Sequence, residues 1–392
     1  MKQRTFITLL FLILLFSFFT LNECKINVYA DELDLSAEGA ILMEASTGKI
    51  LYEKNSEEMK PPASVTKVMT LLLIFEALDK EKLHLNDVIT VSPYASSMGG
   101  SQVFLEAGET QSAETMIKCI AVSSANDACV AMAEHLSGSE EAFVKKMNEK
   151  AKELKMEHTN FVNCCGLDAD GHETCAKDIA LMSRELTVKY PDIFTYSSIW
   201  MDEFTHKTKK GESVFGLSNT NKLLRNYEGC NGLKTGSTSK AKFCLSATAT
   251  RNQISLIAVV MACPDSKVRM KDAAALLNYG FSNVTLYQDS DPGKEIGLIS
   301  IRGGKESLVP YEKPSSFSYV LTKGEDPSAI TKEVHIAKNL KAPVKKGETI
   351  GEVTYSLQGI PIGAVPIKAS RNIEKMNFFY EYKMLWKKAA FS

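Results

Sequence analysis

Residues 253–262 (QISLIAVVMA) set apolar side chains on both faces of an extended strand. A strand with one solvated face alternates polar and apolar residues, so this one belongs inside a sheet covered on both sides. Residues 243–250 precede it across Arg251-Asn252, which makes the pair a hairpin. A second hairpin is expected over 40–52, around Ser46-Thr47-Gly48. The covering helices are also legible. Residues 68–78 are apolar all round and follow Pro61-Pro62, the pattern of a buried helix starting where its first amides need no internal partner. Residues 113–136 and 140–154 form a helical block, and 271–279 a closing helix. The expected fold is α/β (α+β): an antiparallel sheet with helices on both faces and a helical subdomain.

A single core stops growing at about 250–300 residues, so 392 residues imply a second domain. Past residue 283, Gly, Pro and β-branched residues rise and short alternating stretches appear at 333–336 and 349–355. We therefore expect a main domain over 31–283 and a small all-β domain over 284–369. Lys2 and Arg4 open the chain, an apolar run follows over 6–16, and Val28-Tyr29-Ala30 ends a polar stretch. That order reads as a secretory signal peptide over 1–30, its apolar run shorter than the ~20 residues a spanning helix needs. Residues 370–392 are expected to form an amphipathic helix. Phe378, Tyr382, Leu385, Trp386 and Ala389 share one face of it, and Lys375 falls on that side with a stem long enough to snorkel. Such a helix suits a membrane surface, where Trp and Tyr are favoured, or packing on the β domain.

With 46 basic and 47 acidic residues, the chain carries no electrostatic footprint for a polyanion, and no nucleic acid is expected as a partner. Eight of the nine cysteines lie beyond residue 30; export permits disulfides without requiring them. Cys164, Cys165, His172 and Cys175 contain the residue types of a zinc site, but adjacent cysteines diverge and lack the usual gap of two to four residues. No metal or cofactor is expected.

Three short motifs carry chemistry. Ser64-Val65-Thr66-Lys67 puts a hydroxyl and an amine one turn apart on one helical face, and a serine needs a base to become a nucleophile. Ser46-Lys49, Ser237-Lys240 and Ser239-Lys242 repeat the spacing, but only Ser64 precedes a long buried helix. Ser124-Ala125-Asn126 offers a hydroxyl for proton relay and an amide to hold a substrate amide. Lys234-Thr235-Gly236 precedes the apolar hairpin, where an edge strand can present a cation and a hydroxyl to a carboxylate, and Gly236 lets a peptide approach the backbone.

In this order and context the motifs resemble those of the low-molecular-mass penicillin-binding D-alanyl-D-alanine carboxypeptidases. The likeness extends to Met98-Gly99-Gly100-Ser101-Gln102, Gly166-Leu167-Asp168 and Asn219-Thr220-Asn221-Lys222-Leu223-Leu224. It implies a penicillin-binding transpeptidase/β-lactamase-like main domain and a serine peptidase acting on the peptidoglycan stem peptide at the outer face of the cytoplasmic membrane. β-Lactam antibiotics would be covalent inhibitors. Roles follow by resemblance. Ser64 attacks the carbonyl between the two D-alanines and Lys67 takes its proton. Ser124 relays a proton, and Asn126 binds the acyl chain. Lys234 and Thr235 hold the terminal carboxylate beside Gly236, while the backbone N–H groups of Ser64 and Ser237 form the oxyanion hole. A lysine acts as base only when neutral, so burial and the second cation of Lys234 are expected around Lys67. Two positions depart from the family: Ser237, where relatives carry a bulkier residue, and Cys164-Cys165, where they favour Pro and a polar residue. A β-lactamase would need a glutamate-bearing loop between Asn126 and Lys234, which has no counterpart here; a non-catalytic penicillin-sensing or wall-binding protein would not need the reactive groups that are all present.

Overall fold

The first hairpin is closed by its own turn. The Glu44 carboxylate accepts hydrogen bonds from Ser46 N at 2.9 Å and Thr47 N at 2.7 Å and from both hydroxyls, and Gly48 supplies the positive φ of 76° that brings the chain back. The computed structural model describes residues 33–209 and 211–378 together with Tyr380, Tyr382 and Trp386. The leader expected at 1–30 lies outside the described residues, as does most of the tail helix.

Along the main domain run β1 (Gly39–Glu44), β2 (Ile50–Lys54), α1 (Lys67–Asp79), α2 (Ala113–Ser123), α3 (Asn126–Ser137), α4 (Glu140–Glu153) and α5 (Ala176–Lys189). Then come β3 (Met201–Thr208), β4 (Gly211–Ser218), β5 (Cys230–Thr238), β6 (Lys242–Arg251), β7 (Ile254–Cys263) and α6 (Ser266–Asn283). The main sheet is antiparallel with order β2-β1-β7-β6-β5. The doubly apolar strand β7 is at its centre, as its composition predicts. One face of β7 gives Ile257, Val259 and Met261 to the core shared with α1. On the other, α6 approaches so closely that a Cβ on Gly280 would stand 2.5 Å from Leu256 and 2.8 Å from Leu42.

Several boundaries differ from expectation for local reasons. The turn of the second hairpin is Asn252-Gln253, both in the left-handed region at φ 49° and 64°, the geometry of a tight turn between twisted strands. The helix expected at 271–279 starts at Ser266, because Asp265 caps the amides of Lys267 and Val268. The segment 113–136 is two helices, broken where Ser124 turns left-handed at φ 61°.

The small domain holds β8 (Val284–Asp289) paired with β9 (Phe317–Thr322), and a sheet of β10 (Ile330–Ile336), β11 (Thr349–Leu357) and β12 (Ile360–Lys368). Phe317 stacks on Tyr355 at 3.8 Å in its core. The helix expected from residue 370 begins later. Ile373 and Lys375 pair with Val344 and Gly304, because Ile373 fills the β-domain core. Among the described residues no helix is long and apolar enough to cross a membrane.

Candidate active site

Pro62 ends the extended approach to α1, and residues Ala63–Thr66 wind into one 3-10 turn that runs directly into the helix. Ser64 is half-buried on this turn, while Lys67, the first residue of α1, is fully buried. The three-residue spacing does what the sequence implies: Lys67 Nζ lies 3.1 Å from Ser64 Oγ. The amine also donates to Asn126 Oδ1 and to the carbonyl of Cys165, both at 2.6 Å. Burying an amine requires such partners.

The Cys165 carbonyl is held in place by its own loop. Thr70 on α1 and the Cys129 thiol on α3 donate to the carbonyl of Cys164 at 2.6 and 3.1 Å, and Asn163 Oδ1 accepts the Gly166 N–H at 2.7 Å. Both cysteines that depart from the family pattern are buried. The four residues weighed as zinc ligands do not pool their donor atoms: both ring nitrogens of His172 are engaged, by Val162 N at 2.9 Å and Thr66 Oγ1 at 2.8 Å.

Ser124 and Asn126 sit at the break between α2 and α3. Asn126 is fixed by donating to the carbonyl of Gly99 and, through its backbone, to that of Ser101, each at 2.7 Å. The Asp127 carboxylate accepts from Val103 N and Leu105 N and so holds the rest of that loop. Ser124 Oγ is buried and has no hydrogen-bond partner. An orphaned buried hydroxyl costs about 1–3 kcal/mol, and a fold retains one where it has work to do.

Strand β5, an edge of the main sheet, brings the third motif against the Ser64 turn. A Cβ on Gly236 would stand 2.9 Å from Pro62 O, Ser64 N and Val65 N, so only glycine allows this approach. Lys234 is buried and donates to the carbonyl of Thr235 at 3.0 Å; burial, with Lys67 and Arg269 beside it, pushes its amine well below the ordinary 10.5. The Thr235 hydroxyl pairs with that of Thr220. Ser237 faces solvent at the mouth. Lys67, Lys234 and Arg269 make hydrogen bonds only to neutral oxygens here. The Lys234 amine, with Lys67 and Arg269 near it and no carboxylate among the hydrogen-bond partners of the three, favours an anion.

The D-alanyl-D-alanine carboxypeptidase model matches residues 26–265, and that of the penicillin-binding protein 5 C-terminal domain matches 281–375. The chain belongs to the D-alanyl-D-alanine carboxypeptidase family. It is 41% identical over 347 residues to D-alanyl-D-alanine carboxypeptidase DacF of Bacillus subtilis, covering 88% of each chain. It is 31% identical to DacA of Escherichia coli (strain K12), over 88% of this chain and 85% of that one. Among solved structures, penicillin binding protein 5 from Haemophilus influenzae superposes with a TM-score of 0.66 at 30% identity, covering 88% of this chain and 99% of that one.

Motif reading alone overlooked three contributors in this carboxypeptidase. Arg269 on α6 donates from Nη1 to the carbonyls of Gly236 and Cys244, at 3.0 and 3.2 Å, and so braces β5 from behind. Thr220 lies in a segment noted for its likeness to relatives, but nothing in that segment announces its contact with Thr235. The Cys165 carbonyl is backbone and carries no residue signature at all.

Proposed function

We propose that this serine-type carboxypeptidase removes the terminal D-alanine of peptidoglycan stem peptides through an ester on Ser64. One observation carries the assignment: Lys67 Nζ, fully buried, lies 3.1 Å from Ser64 Oγ, with the buried Lys234 amine near it. In this reading Lys67, as the free amine, takes the hydroxyl proton while Ser64 Oγ attacks the penultimate carbonyl. The N–H groups of Ser64 and Ser237 receive the developing oxyanion, a reading supported by the close approach of Gly236 to Ser64 N. Ser124, whose hydroxyl has no other partner, passes a proton to the departing amine. Asn126 keeps one N–H and one lone pair for the acyl chain. The terminal carboxylate supplies the counter-charge that Lys234 lacks and accepts from Thr235. Water then cleaves the ester, and a β-lactam occupies the same ester as an inhibitor.

The reading extends to location: export by the leader at 1–30, the main domain at 31–283 and the β domain at 284–369, and attachment to the outer face of the cytoplasmic membrane through the tail. Phe378, Tyr382 and Trp386 support the last point, because they recur every four residues, stand exposed and line up ring to ring. Deleting 377–392 should release the protein from membrane pellets.

The direct test is to label purified protein with a fluorescent penicillin and map the modified peptide. The adduct is expected on Ser64, and Ser64→Ala should lose both the label and D-alanine release from a pentapeptide. Lys67→Ala should slow acylation about 10²–10⁴-fold, the usual share of a general base. An adduct elsewhere would overturn the assignment.

A further inference from the structure

A buried chain of hydrogen bonds ends on the peptide bond that precedes Ser64. Val162 N–H donates to His172 Nδ1 at 2.9 Å, so Nδ1 carries no hydrogen and the neutral ring holds its hydrogen on Nε2. That nitrogen lies 2.8 Å from Thr66 Oγ1 and therefore donates to it. The Thr66 hydroxyl in turn donates to the carbonyl of Ala63 at 2.9 Å. Each donor meets one acceptor, and the sequence of donations has only this direction. Thr66 is fully buried and His172 is 2% exposed, so water does not compete.

The end of this chain matters because the Ala63 carbonyl and the Ser64 N–H share one planar trans peptide and point in opposite directions. Fixing the carbonyl fixes the amide. Ala63 sits at φ 49°, a conformation that an alanine rarely adopts unaided. Gly166, lacking a side chain, packs against that carbonyl and closes the space behind it. We infer that Thr66 and His172 are positioning residues that hold the Ala63–Ser64 peptide so that the Ser64 N–H points at the oxyanion. This rests on the reading of Ser64 N–H as an oxyanion donor.

The consequence is specific to the transition state. A misdirected N–H leaves the binding of the uncharged ground-state carbonyl nearly unchanged and weakens stabilisation of the charged intermediate. The test uses the full chain as wild type, Thr66→Val, Thr66→Ser and His172→Phe, with thermal midpoints recorded for each. Thr66→Val keeps shape and removes the hydroxyl. His172→Phe keeps a ring against Phe161, its neighbour at 6.0 Å, and removes the donor. Penicillin acylation is resolved into the constant of the initial complex and the limiting rate, and affinity for an arylboronic acid, which forms a tetrahedral adduct on serine, is measured alongside.

Thr66→Val is expected to lower the limiting rate about 10–100-fold, less than outright loss of a donor, with the initial complex unchanged within about twofold. Boronate affinity should fall with the rate. Thr66→Ser should recover most of both, His172→Phe should show a smaller loss of the same kind, and the double variant should lose no more than Thr66→Val, since both act through one contact. The inference is overturned if either folded variant acylates at the wild-type rate, if the loss lies in the initial complex, or if Thr66→Ser fails to recover. Should one variant not fold, the other decides. A wild-type protein not acylated on Ser64 would instead refute the proposed function.

Discussion

Gly166 lies against the carbonyl of Ala63, so close that a side chain on it would begin 1.9 Å from the oxygen, at a φ of 87° that favours glycine. The loop carrying Cys165 is thereby seated on the turn that holds Ser64. Gly166→Ala must displace one or the other. Overpacking of this kind costs about 1–3 kcal/mol, and left-handed strain adds to it. The urea midpoint should fall accordingly, and penicillin labelling should fall with it as the Cys165 carbonyl leaves Lys67.

Ser124 separates stability from turnover. Its hydroxyl makes no hydrogen bond, so Ser124→Ala removes a desolvated group without breaking a contact. The thermal midpoint should stay level or rise. Release of D-alanine should drop at least about 10²-fold if the hydroxyl relays the proton. A midpoint that falls by several degrees would mean that Ser124 has a structural partner.

Lys234→Met should behave similarly through charge. The amine is buried beside two other cations, and removing it relieves both burial and repulsion. We expect a gain of about 1 kcal/mol or more in denaturant unfolding, because an unpaired buried ion costs several kcal/mol. Acylation should slow, and a substrate amidated at its terminus should lose its disadvantage against the free acid.

Acid should act through His172. Burial lowers its pKa to about 4 from 6.5, with Asp168 and Glu140 opposing. Between those values the unfolded chain binds a proton that the folded chain refuses, so stability falls as pH drops below 6.5 and the loss is complete below about 4. The full effect is about 3 kcal/mol. Comparing urea unfolding at pH 7.5 and 4.5, wild type should lose about 2–3 kcal/mol more than His172→Gln. Equal losses would show that His172 stays neutral in both states or charged in both.

What the sequence made legible was whatever rests on periodicity or on fixed local spacing. The doubly apolar run 253–262 identifies the central strand, and a separation of three is enough to bring Lys67 to Ser64. The hairpin of β3 and β4 escaped because its strands are largely exposed, with Phe204, His206 and Leu217 alone turned fully inward, too few for an alternating pattern. Arg269 escaped for a different reason. Its partners are carbonyls 25 and 33 residues away in the chain, and no residue type announces a carbonyl. The start of α6 could have been found, since Pro264-Asp265-Ser266 is a helix-opening signal.

The distribution of thiols has a practical outcome. All eight cysteines among the described residues are unpaired; seven are shut inside, and only Cys230 is half-covered. An alkylating reagent such as iodoacetamide thus meets one partly reachable sulfur on the intact molecule and the others only when their surroundings part. Because Cys129, Cys164 and Cys165 cluster beside Lys67 while Cys119, Cys175, Cys244 and Cys263 are spread through the rest of the main domain, the order in which peptides gain mass would chart which region breathes first.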